Sequence, residues 1–400
     1  MMKRGLIVLL AATLVVSGCG LFKSKDNIHP PKPVPKFTAT LTVMRLWSNS
    51  IGDGAGNSGV RLRPAISDGV VYAASTNGSL VAWKLDNGAT VWSHSSGSGW
   101  HPFGWFKGRE HDHFAGGPSV ADGMLFVGTQ KGGVYAFEAK TGKELWRAQA
   151  SSEVISAPAI AGGKVFVRSN DGHVFAFDEQ TGKQLWLYDR GDVPALSLRG
   201  NGTLLAVNGA VFFGSDNGKL VALSQADGST LWSVPVASGE GRTDIERIDD
   251  SDGRLVFADG KLFVDAYHGN VMAVDPANGR TLWSRPLSGY TGVDEGGGKV
   301  IAVDAASNIW ALDASNGGDL WKQDKLEWRW LSAPAVQMDK YIVIGDLQGY
   351  VYWLNLANGE LAAKEQPAGS AIVARPLIAG DIALVEGDDG SVTAYRVSGG

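Results

Sequence analysis

One short phrase returns eight times along this chain, and nothing else in it constrains the fold as much. Six copies are complete: GSLVAWKLDNGATVW at 78–92, GGVYAFEAKTGKELW at 132–146, GHVFAFDEQTGKQLW at 172–186, GKLVALSQADGSTLW at 218–232, GNVMAVDPANGRTLW at 269–283 and SNIWALDASNGGDLW at 307–321. A weaker copy, GYVYWLNLANGELAA, occupies 349–363, and GSVTAYRVSGG at 390–400 is cut short. A unit that recurs at about 40–45 residues with one aromatic per period is the signature of a propeller blade, because it cannot bury its apolar face alone and must stack on its neighbours. The expected fold is therefore all-β, an eight-bladed β-propeller with four antiparallel strands per blade.

The stretch 155–184 shows how one repeat makes one blade. ISAPAIA, KVFVRS and HVFAFD are runs of strand length, rich in β-branched and aromatic residues. Ala161-Gly162-Gly163, Asn170-Asp171-Gly172 and Thr181-Gly182 separate them, and such turns need the positive φ that Gly supplies without a Cβ clash. The third turn recurs as Asn87-Gly88, Thr141-Gly142, Asp227-Gly228, Asn278-Gly279, Asn316-Gly317 and Asn358-Gly359. First strands carry Pro64, Pro118, Pro158, Pro334 and Pro376; a residue with no N–H suits an edge or a strand start, so these strands are expected to line the central channel. The Trp of each phrase falls on the outermost strand and is expected to wedge between blades. Trp47 is a fourth-strand Trp with no three strands before it, whereas 374–397 supplies three strands and no Trp. Joined, they complete an eighth blade closed by both ends of the chain. Successive Trp residues are 45, 54, 40, 46, 51 and 38 apart, which places inserted loops in 93–117 and 233–252.

Fifty-four glycines, 14 tryptophans and only 19% charged residues fit a turn-dense β protein with a large core, and no segment has the period of a long amphipathic helix. Residues 1–18 are excluded from the fold as a signal peptide: Lys3 and Arg4 precede an apolar run at 6–16 that is too short to span a bilayer. The run ends in Val16-Ser17-Gly18-Cys19, which resembles a bacterial lipobox, and Cys19 is the sole cysteine. That resemblance implies cleavage before Cys19, acylation of its thiol and amine, and, with Gly20 rather than Asp following, an outer-membrane anchor facing the periplasm. Several acyl chains on one residue anchor stably where one chain would not. The Pro-rich stretch 19–37 is expected to be a lipidated tether and 38–400 the propeller. Of 36 basic and 41 acidic residues, Lys3 and Arg4 leave with the leader, so the remainder carries about −7. That balance does not favour nucleic acid as a partner.

Catalytic and metal motifs are weak. The phrase A-x-D-x-x-T-G-K-x-x-W resembles the repeats of pyrroloquinoline-quinone dehydrogenases, which hold their quinone with a calcium ion in a funnel and often carry a vicinal disulfide. One cysteine forms no internal disulfide, no haem motif is present, and no Glu, Asn and Asp set is assignable to that metal site. His94, His101, His111 and His113 cluster around one Gly-rich insertion and read as a solvated loop. Asp250-Ser251-Asp252-Gly253 lacks the calcium-loop acids at positions 248 and 259, which are Ile and Asp. Arg190-Gly191-Asp192 is taken as a chance match to an adhesion tripeptide. No cofactor and no catalytic residue is assigned.

Two segments carry a sharper resemblance. VPALSLRG at 193–200 follows the Trp186 strand, and TDIERIDDSD at 243–252 lies one repeat later. Both resemble segments of the BamB family, lipoproteins of the β-barrel assembly machinery, and the likeness runs from Cys19 to Val397. The resemblance implies a non-enzymatic scaffold that binds the periplasmic polypeptide-transport-associated domains of BamA and aids outer-membrane protein insertion. It assigns the contact to Leu196, Leu198 and Arg199 in the first segment and Asp250 and Asp252 in the second. Asp249 and Glu246 depart from the family pattern by adding or lengthening acids at the rim. The 93–117 insertion, with Trp100, Phe103, Trp105 and Phe106, is longer than usual. The residues alone leave two readings open: exposed leucines beside an arginine suit an interface, or the leucines tuck under the blade while Arg199 bridges to Asp250 or Asp252.

Overall fold

The computed structural model describes residues 29–54, 60, 62–95, 113–189, 202–215, 217–237, 253–289, 291–367 and 369–398. Among these the chain forms thirty-two strands and no helix, arranged as eight four-stranded antiparallel sheets. Seven sheets use consecutive strands and are numbered here as blades 1 to 7, spanning 65–95, 114–149, 159–188, 205–235, 256–286, 294–323 and 335–365. Blade 8 takes Leu377–Ala379, Ile382–Glu386 and Ser391–Ser398 from the C-terminal end and Thr42–Ser50 as its outer strand. Trp47 pairs with Ala394, flanked by Arg45 opposite Tyr395 and Asn49 opposite Val392, so the closure expected from the end fragments is the one observed.

In blade 3 the strands are Ala159–Ala161, Lys164–Arg168, Val174–Asp178 and Gln184–Tyr188. The first is shorter than the run ISAPAIA because Pro158, with no N–H, stands where the ladder begins. Pro118 falls inside its strand instead, at a register irregularity between Gly116 and Ser119. Only the first connection is a two-residue turn, Gly162-Gly163 with φ of +58° and +72°. The other two are longer, and in the third the Asp178 carboxylate accepts bonds from Thr181 N (2.9 Å) and Oγ1 (2.7 Å).

Each outer-strand Trp locks two blades. Trp146 Nε1 donates to Glu179 O of blade 3 at 2.8 Å, and its ring lies where a Cβ on Gly182 would be 2.5 Å away. Trp47, Trp92, Trp186, Trp232, Trp283 and Trp321 repeat the arrangement, with Nε1 bonds of 2.8 to 3.1 Å to the next blade. Just before each Trp the register slips, as between Ala176 opposite Trp186 and Phe177 opposite Gln184, so Leu185 bulges outward. The seam from blade 7 to blade 8 is different. Blade 8 has no third turn to receive a Trp, because its outer strand comes from the other end of the chain. Ala363 occupies the Trp position, and Trp353 opposite it is buried, donating to Gln337 Oε1 at 3.2 Å and meeting Tyr395 edge-on at 5.5 Å. The weak seventh repeat is thus the repeat with a different neighbour.

Residues 29–41 run down that seam. His29 stacks on Trp328, Lys32 N donates to Glu327 O at 3.0 Å, and Lys364 Nζ reaches Pro35 O at 3.0 Å. Thr40 and Leu41 amides then donate to Ala362 O on the outer strand of blade 7. Because strands alternate in direction, every connector from a fourth strand to the next first strand opens on one face, the connector face. The turns between third and fourth strands lie on the other.

Candidate functional site

Leu196, Leu198, Arg199, Asp250 and Asp252, with the lipidation candidate Cys19, lie outside the described residues, as do Trp100, Phe103, Trp105 and Phe106. What the structure describes is where their segments begin and end. The chain leaves blade 3 at Asp189 and re-enters at 202, then leaves blade 4 at Ala237 and re-enters at Gly253. Both segments are fourth-to-first connectors, so their roots share the connector face and flank a single blade, blade 4.

Local sequence makes these roots firm. On blade 3, His173 Nδ1 lies 3.0 Å from Asp171 and its Nε2 3.5 Å from Asp189. Burial works to raise the Asp171 carboxyl, but hydrogen bonds from Ser151, Ser169 and His173 outweigh it and hold it down at about 2. Arg168 crosses to blade 4, donating to Gly214 O at 3.0 Å with its guanidinium over the Phe213 ring. On blade 4, the Val236 and Ala237 amides both donate to Gly218 O, and Asn270 of blade 5 donates to Val236 O at 3.0 Å.

The far root of the second segment is pinned hardest. A Cβ on Gly253 would lie 2.2 Å from Asp265 Oδ1, so only glycine passes over this side chain. Asp265 has no exposed surface; its Oδ2 accepts from Gly292 N at 3.2 Å and Oδ1 has no partner among the described residues. Burial pushes this carboxyl up to about 7, against the lowering effect of its backbone bonds. The next residue, Arg254, donates to Asp294 Oδ1 of blade 6 at 2.6 Å. Asp294 Oδ2 accepts from Arg375 of blade 8 at 2.6 Å and from Val336 N of blade 7 at 2.7 Å. Burial would raise Asp294, but Arg375 and Arg254 outweigh it and hold it below the usual carboxylate range.

Sequence reasoning missed Asp265, Arg254, Asp294 and Arg375. Nothing in one repeat marks them, because each partner sits on a different strand or blade. Of the four clustered histidines, His113 Nδ1 lies 2.7 Å from Thr76 O and His94 packs on Phe137 at 5.2 Å, where burial lowers its pKa; His101 and His111 lie outside the described residues. Among the described residues no three metal-ligating side chains gather. Chemically, the arrangement is a rim braced by ion pairs and backbone hydrogen bonds at the roots of both segments.

Comparison with known proteins places the chain in a family. The profile of the family described as outer membrane protein assembly factor BamB matches residues 86–323 and 306–400. A protein of that name from Xanthomonas campestris is 40% identical over 407 residues, covering 100% of this chain and 98% of its own length. Its namesake from Escherichia coli K12 is 36% identical over 384 residues, covering 96% of each chain. The crystal structure of BamB from Moraxella catarrhalis superimposes with a TM-score of 0.78 at 25% identity, covering 89% of this chain and 100% of that one. A quinohemoprotein alcohol dehydrogenase from Comamonas testosteroni reaches a TM-score of 0.66 at 15% identity over 88% of this chain and 76% of its own, a likeness of fold alone.

Proposed function

The chain belongs to the BamB family of outer-membrane protein assembly factors, and from that premise we propose that it is a non-enzymatic scaffold lipoprotein of the β-barrel assembly machinery, anchored in the outer membrane and facing the periplasm. One observation carries the reading: the roots of the two segments holding Leu196, Leu198, Arg199, Asp250 and Asp252 share a face and flank one blade. In this reading those five residues form one patch that binds the periplasmic domains of BamA, with Arg199 as its charged anchor. The anchor is consistent with it. His29 stacks on Trp328, in the connector between blades 6 and 7, so the ten residues back to Cys19 start from the same face. Fully extended they reach about 35 Å.

The outer edges support a role in handling unfolded substrates. Val91, Leu145, Leu185, Leu231, Leu282 and Leu320, each at an outer-strand bulge, are 39 to 54% exposed beside an open ladder edge. On blade 7 the chain's own Thr40 and Leu41 amides both donate to Ala362 O of that edge. An extended segment adds to a sheet through such edge groups.

Arg199→Glu tests the contact. Reversing an interfacial charge costs at least the roughly 2–5 kcal/mol of losing it, about a 30- to 4,000-fold drop in affinity for the periplasmic domains of BamA, with an unchanged melting temperature. Full binding by the folded variant moves the interface elsewhere, and a lowered melting temperature makes Arg199 an internal clamp. Dye reduction by protein loaded with pyrroloquinoline quinone and calcium would replace the scaffold reading by an oxidoreductase.

A further inference from the structure

We propose that the mouth of the central channel on the connector face binds a small oxyanion, a carboxylate or phosphate, through Arg63, Arg254 and Arg375. These residues stand at the entry to the innermost strands of blades 1, 5 and 8, and Asp294 at the start of that of blade 6. Side chains from blades on opposite sides of a ring meet only at its axis. Two guanidinium groups therefore share one carboxylate, with Arg63 near enough to both to be repelled by them, and that carboxylate is fully engaged: Oδ1 by Arg254, Oδ2 by Arg375 and the Val336 amide.

The arginines are not equally engaged. Arg375 uses all three nitrogens, on Pro334 O, Pro376 O and Asp294. Arg254 spends Nη1 on Asp294 and Val293 O, and its side chain is 30% exposed. Arg63 has only its backbone amide bonded, to Gly117 O at 3.5 Å, and among the described residues no acceptor meets its guanidinium. Its surroundings are hostile to charge: burial, then the repulsion of Arg254 and Arg375, bring its pKa down to about 10. A guanidinium does not escape by losing its proton near neutral pH, so an anion is what relieves it. The unused donors of Arg63 and Arg254 are of the type that binds a carboxylate or phosphate, with Arg375 adding charge.

The test is a titration of the mature chain with inorganic phosphate at constant ionic strength, read by calorimetry and by melting temperature. Saturable binding with a rise in melting temperature is expected. Arg63→Met, which keeps the stem, should weaken phosphate binding at least tenfold. In chloride buffer it should melt no lower than the parent, because it removes a repelled charge. A purely structural arginine would lower it instead. Arg280→Ala, on the opposite face, should bind phosphate like the parent. An acetylated tripeptide with a free C-terminus and its amide separate the two ligand sources: competition by the acid alone marks a carboxylate site, and competition by neither marks a phosphate site. The proposal falls if the phosphate effect is linear and matched by chloride, if Arg63→Met binds phosphate unchanged, or if Arg63→Met melts lower in chloride.

Discussion

Asp265 and Asp346 both have carboxyl groups with no exposed surface, yet they face opposite electrostatics. Asp346 receives Arg329 Nε at 2.8 Å, Tyr352 Oη at 3.0 Å, and the Gln348 and Tyr350 amides at 2.9 and 3.0 Å. Replacing Arg329 by Met would strand that charge, and a broken buried pair costs about 3–5 kcal/mol. Arg285→Ala, which breaks the exposed pair with Asp319, should cost about 0.2–1 kcal/mol. Urea unfolding of both variants checks the contrast, and equal losses would contradict it. Asp265 has no cation partner among the described residues, and burial lifts it from 3.8 to about 7. The folded state therefore keeps a proton that the unfolded chain releases between those values, so this group makes stability fall as pH climbs from 4 to 7 and level off above. Asp265→Asn should remove that slope. The variant's advantage should grow across the window to a few kcal/mol, at about 1.4 kcal/mol per unit, and a gap independent of pH would refute the assignment.

At the scale of the element, the Trp–Gly clamp separates two costs that a glycine substitution usually mixes. Gly163 and Gly182 both have left-handed backbone, with φ of +72° and +69°, but a Cβ on Gly163 meets nothing within 4 Å while one on Gly182 strikes Trp146. Gly163→Ala should cost only the backbone strain, about 1–2 kcal/mol. Gly182→Ala should add an overpacking cost of about 1–3 kcal/mol, because the ring is held in place by its bond to Glu179 O. Similar melting temperatures for the two variants would show that the ring yields. The clamp was legible in the sequence as Trp and turn Gly recurring at fixed spacing, and so were the prolines at the first strands. The outward bulge of Leu185 was not: strict alternation places it opposite Trp186, whichever way Trp186 points, and gives no sign of the slipped register. Ala363 looked like decay of the repeat, and its cause lies in the blade that follows.

At the scale of the molecule, the ring brings together residues that no periodicity connects. Arg63 and Arg375 lie near opposite ends of the chain, and each resembles any other residue before a first strand, so the approach of Arg63 to Arg254 and Arg375, and the sharing of Asp294 by the latter two, were invisible until the ring closed. The Pro-rich stretch before residue 38 carried no sign that Lys32 would seat on the connector between blades 6 and 7 and Pro35 on blade 7. Closure itself was legible, from a Trp without its three strands and three strands without their Trp. It is also the one non-covalent seam in the ring's path, and its strength can be measured. Trp47 sits on Gly88, donates to Leu85 O at 2.8 Å, and is backed by Asn49 Nδ2 on Gly88 O at 2.7 Å, the same clamp that Trp146 makes within continuous chain. If the seam is as strong as the others, Trp47→Ala and Trp146→Ala should each lose about 3–5 kcal/mol and keep a single cooperative transition. Deleting residues 38–50 removes the whole outer strand, bares the edge of Ser391–Ser398 and leaves Gly88 without its cover. That variant should melt far below Trp47→Ala and aggregate through the open edge. A deletion variant that melts with the parent would mean that the propeller holds its shape without the N-terminal strand, and that this strand serves the anchor alone.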